Sequence, residues 1–122
     1  MQNMINWFEI PVSDFARAKA FYEQILAITI QDMEMEGNTM GMFPGNEQVV
    51  SGAIVKSNNH FPSDKGCVVY LNGGSDLNVV LGRVEKAGGN VVVPKTMISP
   101  EMGYFAFFAD TEGNTIGLHS IG

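Results

Sequence analysis

Tyr104-Phe105-Ala106-Phe107-Phe108-Ala109-Asp110-Thr111-Glu112-Gly113-Asn114-Thr115-Ile116-Gly117-Leu118-His119-Ser120 is the stretch on which the reading of this chain turns. Two apolar runs of strand length flank the polar segment from Asp110 to Asn114. An aspartate that opens such a segment bonds its own downstream backbone, and Gly113 and Asn114 both tolerate positive φ. The stretch is therefore predicted to be a β-hairpin with a short polar tip. Alternation sends Ile116 and Leu118 to one face of its closing strand and Thr115, Gly117 and His119 to the other.

Upstream of the hairpin the same order of elements occurs twice. Ile5 to Val12 alternates as a strand, and Ser13-Asp14 then caps a helix whose apolar residues fall at Phe15, Ala18, Phe21, Tyr22, Ile25 and Leu26. Strands follow at about Ile28–Glu34, Thr39–Phe43 and Val49–Lys56. Glu36-Gly37-Asn38 turns the first of these into the second, and Pro44-Gly45-Asn46 breaks the second from the third. A polar, breaker-rich linker covers about 58–65. The second round runs from a strand at Cys67–Asn72 through a helix capped by Ser75-Asp76, with Leu77, Val80, Leu81 and Val84 on one face. Gly88-Gly89 stops that helix. A strand at Asn90–Pro94 and the hairpin complete it. The chain is thus a single domain, 1–122, of two β-α-β-β-β modules at about 4–57 and 66–121. Neither module covers both faces of its own sheet.

Composition narrows the function classes. A chain of 122 residues, 45% hydrophobic and 16% charged, is globular and buries a real core. No apolar run reaches the roughly 18 residues that span a bilayer, and Met1-Gln2-Asn3-Met4 does not read as a signal peptide. The single cysteine, Cys67, excludes an internal disulfide, fits the cytoplasm, and reads as a small buried hydrophobe. A net charge of -6 argues against nucleic acid as a partner.

The hairpin also resembles the closing hairpin of the vicinal oxygen chelate superfamily: glyoxalase I, bleomycin-resistance proteins and extradiol dioxygenases. Their pattern is apolar-D-P-D-G-N-x-apolar-E-L, in which the Glu binds a metal; Gly117 stands in that slot here. The resemblance covers the whole chain. It implies an α+β fold in which two tandem βαβββ modules form a curved mixed sheet around a central pocket, with the helices outside. In the metal-dependent members, one pocket-facing position on each of the first, fourth, fifth and eighth strands supplies a ligand. The matching positions are Trp7, Gly52, Val68 and Gly117, with Gly52 chosen because Ser51-Gly52-Ala53 echoes Ile116-Gly117-Leu118. None offers an imidazole, carboxylate or thiolate, so neither metal nor other cofactor is expected.

Strand parity supplies the remaining candidates. Phe8, Ile10 and Val12 belong under the first helix, which leaves Trp7, Glu9 and Pro11 facing the pocket. On the fifth strand Val69 and Leu71 go under the helix, and Val68, Tyr70 and Asn72 face the pocket. Trp7, Tyr70 and Phe108 are expected to give apolar area, with Tyr70 and Tyr104 offering hydroxyls. Gly52 and Gly117 are expected to leave room. Glu9 and His119 are expected to orient the ligand. For each of the last two a second reading stands: Glu9 at a sheet edge or paired with a neighbour, and His119 as a satisfied histidine. Met33, Met35, Met40 and Met42 should share one face, as ligand wall, core or dimer contact. Pro100-Glu101-Met102-Gly103 is expected at the pocket rim.

Two functions of different kinds follow. One is a metal-free protein that holds a small, partly apolar molecule, similar to bleomycin-resistance proteins. The other is an enzyme of lyase, isomerase or dioxygenase type using Glu9 and His119 or an unusual metal set. In either case the exposed sheet edges point to a homodimer, with no nucleic-acid or membrane partner.

Overall fold

Each half of the repeat builds the same four-stranded sheet. The structure is a computed structural model and describes residues 3–35, 37–46 and 48–122. The first module comprises β1 (Trp7–Pro11), α1 (Phe15–Leu26), β2 (Gln31–Met35), β3 (Asn38–Met42) and β4 (Ser51–Lys56). The second comprises β5 (Tyr70–Asn72), α2 (Leu77–Val84), β6 (Asn90–Ser99), β7 (Gly103–Ala109) and β8 (Thr115–Ser120). The sheets run β1-β4-β3-β2 and β5-β8-β7-β6, each with one parallel pair, β1 with β4 and β5 with β8. No helix among the described residues is long and apolar enough to cross a membrane.

The helices form where capping and spacing agree. Asp14 accepts the Arg17 N–H at 3.0 Å and Asp76 accepts that of Asn78 at 3.0 Å, each satisfying a donor of the first turn. Ala18, Phe21, Tyr22 and Ile25 make the buried stripe of α1, and Leu77, Val80 and Val84 that of α2. The two stripes enter one core with Ile10 and Ile54 of the first sheet and Leu71, Phe108 and Leu118 of the second. The helices touch each other there, and Arg83 donates to the Ile25 carbonyl at 3.2 Å. Phe21 lies 5.8 Å from Phe108 across the modules. Fully burying side chains of this size stabilises by about 1.5–3 kcal/mol each, so the modules are joined through their helix sides. The free face of each sheet turns away from that core.

The hairpin tip is a polar latch between modules. Asp110 accepts the N–H groups of Glu112 and Asn114 through Oδ1, and the Tyr22 hydroxyl at 2.7 Å and Asn114 Nδ2 at 2.9 Å through Oδ2. Asn114 Nδ2 also donates to the Pro11 carbonyl, and its Oδ1 accepts the Ser63 N–H. One aspartate and one asparagine thereby tie α1, the end of β1 and the linker to the hairpin. Burial, and then the charge of Asp110, push the Tyr22 hydroxyl well above its ordinary pKa and keep it a donor. Next to it, Glu112 Oε1 accepts the N–H groups of Ser13 and Asp14, and Oε2 accepts Arg17 Nε and Thr111 Oγ1, both at 2.8 Å. Of the two tip residues able to take positive φ, Gly113 does so, at 93°.

Several boundaries differ from expectation for identifiable reasons. β6 continues through Pro94 to Ser99, because it is an edge strand whose register shifts between Val93 and Thr96, where a proline is tolerated. β5 is three residues long, since its pairing with β8 begins only at Tyr70–Gly117. Cys67 precedes that ladder and is exposed, not buried. The turn from β2 to β3 carries Gly37 at φ 82°, while Glu36 lies outside the described residues. α1 ends on Ala27 in the left-handed region at φ 55°, which the sequence does not advertise.

Candidate ligand-binding site

Register, not sequence position, decides which side chains share a free face. In the first sheet Phe8 pairs with Gly52 and Ile10 with Ile54, both on the core side. Trp7 pairs with Ser51 and Glu9 with Ala53, both on the free face. The same face continues through Val55–Met40–Met33 and Ala53–Met42. Met40, Ala53 and Val55 pack there as a second small apolar cluster flanked by Met42. All four methionines of the hairpin lie on this side, as expected. Trp7 stays clear of the helix, and its indole Nε1 donates to Glu9 Oε2 at 3.2 Å. A cleft of about 700 Å³ runs past Trp7, Met33, Met42 and Ser51.

The second sheet's free face is aromatic. Across its ladders one row reads Tyr70–Gly117–Phe107 and the next Asn72–His119–Phe105. A Cβ on Gly117 would sit 2.5 Å from the Tyr70 ring, so glycine here lets that ring lie on the strand. Tyr70 also meets Phe107 at 5.7 Å between centroids, and Phe107 meets Phe105 at 5.6 Å. His119 Nε2 is 2.6 Å from the carbonyl of Met102, in the turn between β6 and β7. The residues expected at the rim thus hold the histidine. Tyr70, Asn72, Phe105, His119, Ile98 and Ile121 border a cleft of about 1000 Å³. Asn72 is partly committed, accepting the Gly74 N–H at 2.8 Å.

Three expected site residues are corrected. Gly52 faces the core: an added Cβ would meet the Phe8 carbonyl at 2.3 Å and its ring at 2.6 Å. Echoing Gly117 with Gly52 was one residue out of step, because Ala53 is the residue that pairs with Glu9 as Gly117 pairs with Tyr70. Phe108 is fully buried against Phe21 and Tyr22. Tyr104 shares the parity of Phe108, packs against the core and carries Lys95 Nζ 4.5 Å from its ring centre. Phe105 and Phe107 take the places expected of these two. Hairpin register offered that signal: with Ala109 opposite Thr115, Phe107 falls opposite Gly117 and Phe105 opposite His119.

The expected set is therefore divided between two faces. Glu9 borders a small cleft of about 130 Å³ at the seam, beside Lys65, Cys67 and Asn114, whereas His119 lies in the large cleft of the second sheet. At the positions that match the metal ligands, Trp7, Val68 and Gly117 carry no donor, and the fourth strand shows Ser51 and Ala53 to the free face. Among the described residues no three His, Cys, Asp or Glu side chains are grouped so as to hold a metal ion. The residues present do not fit the metal centre that the resemblance brings to mind.

Comparison with known proteins agrees with this architecture. The chain is similar to a glyoxylase-like domain-containing protein from Didymella fabae, 28% identical over 118 residues that cover 94% of this chain and 91% of the relative. Among solved structures it resembles a glyoxalase/bleomycin resistance protein from Streptomyces sp. CB03234, with TM-score 0.71, 26% identity and coverage of 93% and 97%. TnmS3, an antibiotic binding protein from Streptomyces sp. CB03234, superposes with TM-score 0.68 at 23% identity over 98% of this chain and 96% of that one. Glyoxalase I from Zea mays, in a V278E mutant, gives TM-score 0.71 at 16% identity over 94% of this chain and 45% of the maize chain. Paired βαβββ modules, the polar hairpin tip and a match over residues 4–118 together assign the chain to the Glyoxalase/Bleomycin resistance protein/Dioxygenase superfamily.

Proposed function

We propose that this protein binds a small, partly apolar molecule in the cleft over β5 and β8 and does so without metal or other cofactor. The carrying observation is the cleft itself: an aromatic floor of Tyr70 and Phe105 with the His119 imidazole beside it. TnmS3, a structural neighbour, is an antibiotic binding protein, which supports binding as the activity. The enzymatic alternative is less well supported. Glu9 and His119 border different clefts, and each already bonds a neighbour, Trp7 and Met102 respectively.

We further propose that the protein works as a homodimer in the cytoplasm. Both free faces leave large apolar side chains in water, among them Trp7, Met33 and Met35 on one sheet and Tyr70 and Ile98 on the other. A two-fold arrangement that brings the first sheet of one copy over the second sheet of its partner would shelter these side chains and roof the cleft without filling it. Native mass spectrometry of protein taken directly from cells tests these readings together. A dimer carrying a non-covalent organic molecule and well under one metal per chain is expected. A stoichiometric transition metal, or a monomer at tens of micromolar (roughly the range of weak association), would overturn the corresponding reading.

A further inference from the structure

His119 borders the large cleft, and its hydrogen bonding bears on what the cleft accepts. Nε2 lies 2.6 Å from the Met102 carbonyl, an acceptor only, so the ring must place a proton on Nε2. In the neutral ring that leaves Nδ1 as a bare lone pair, an acceptor. Among the described residues Nδ1 has no hydrogen-bond partner, and it is not a buried unsatisfied atom. In its neutral form the imidazole, which borders the cleft, thus has an acceptor to offer at Nδ1.

Its surroundings restrict the ligand further. Gly117 lets the Tyr70 ring lie on the strand, yet Tyr70 remains 52% exposed, so it keeps a face free for stacking. His119 is two residues along from Gly117 on the same face, roughly 7 Å in strand geometry. That spacing suits a ring resting on Tyr70 with a polar group at its edge reaching the imidazole. Among the described residues no Lys, Arg, Asp or Glu side chain lines the cleft, so its walls offer a charged ligand no permanently charged side chain as a partner. From these features we infer that the cleft selects uncharged aromatic molecules that carry a hydroxyl or N–H donor at their edge, with Tyr70 as platform and His119 Nδ1 as acceptor. The inference rests on the proposed binding function and names the ligand class.

Calorimetry with naphthol, its methyl ether and naphthalenesulfonate tests it on the intact chain. One hydrogen bond of ordinary net strength makes naphthol bind about five- to tenfold more tightly than the ether, and the sulfonate should not bind measurably. His119→Ala should bring naphthol and ether to equal affinity, while Tyr70→Ala weakens both about tenfold. The naphthol-to-ether ratio on the unmodified protein needs no variant to fold. Equal binding of the two there overturns the role of His119, and binding of the sulfonate overturns the selection for uncharged ligands. If none binds while the protein from cells carries another organic molecule, the ligand class is wrong and the binding function stands. If none binds and the protein carries nothing, both fall.

Discussion

Protonating or replacing Glu112 should release the first helix from the closing hairpin. Its side chain is fully enclosed, whereas its partner Arg17 is half exposed. Burial alone would raise the carboxyl pKa. Hydrogen bonds from Arg17, the Asp14 N–H, Thr111 and the Ser13 N–H outweigh that and bring it from 4.5 to about 2. At 1.36 kcal/mol per unit, this depression is worth at most about 3 kcal/mol to the folded state, less what solvent screens at the half-exposed Arg17, still a large part of the roughly 5–15 kcal/mol that holds a domain together. The folded pKa is the lower one, so the contribution is complete above the unfolded value of 4.5 and disappears as pH falls towards 2. Glu112→Gln keeps the shape but turns an amide N–H₂ towards donors. Urea unfolding at pH 7 should show a loss of about 2–4 kcal/mol. The gap between the two proteins should close progressively as pH falls from 5 to about 2. A gap under about 0.5 kcal/mol at neutral pH, the size of an ordinary surface effect, or one that does not narrow in acid, would refute this account of the latch.

Two further outcomes can be read from stability and binding together. Ala27→Gly at the left-handed end of α1 should stabilise by about 1 kcal/mol, seen as a higher urea midpoint with unchanged slope; no gain would mean that the residue is not held at positive φ in solution. Gly52→Ala and Gly117→Ala should part company although both meet atoms inside 2.6 Å. The first drives a Cβ into the Phe8 backbone and should cost about 2–4 kcal/mol. The second pushes only the exposed Tyr70 ring and should cost under about 1 kcal/mol, while weakening ligands that stack on Tyr70. Equal destabilisation of the two would contradict the assigned faces.

What the sequence by itself determined was everything governed by local chemistry and by period. Capping aspartates at 14 and 76, the apolar stripe from Phe15 to Leu26 and the Asp110–Asn114 tip specify two βαβββ modules before any coordinates are seen. Strand parity also separates Trp7 and Glu9 from Phe8 and Ile10, since a half-buried strand has one apolar side. The hairpin motif did not reveal that Asp110 and Asn114 bind a tyrosine and a carbonyl some 88 and 103 residues away. Nor did periodicity set the register between strands. A slip of one residue moves a whole set of side chains to the other face, and it put Gly52, Tyr104 and Phe108 on the wrong side while hiding Phe105 and Phe107. Only the tertiary structure separated Glu9 from His119, because their distance depends on how two modules meet, and that is decided by the helices and the shared core between them. Which residues can act on one ligand is a property of long-range packing, and neither spacing nor composition carries it.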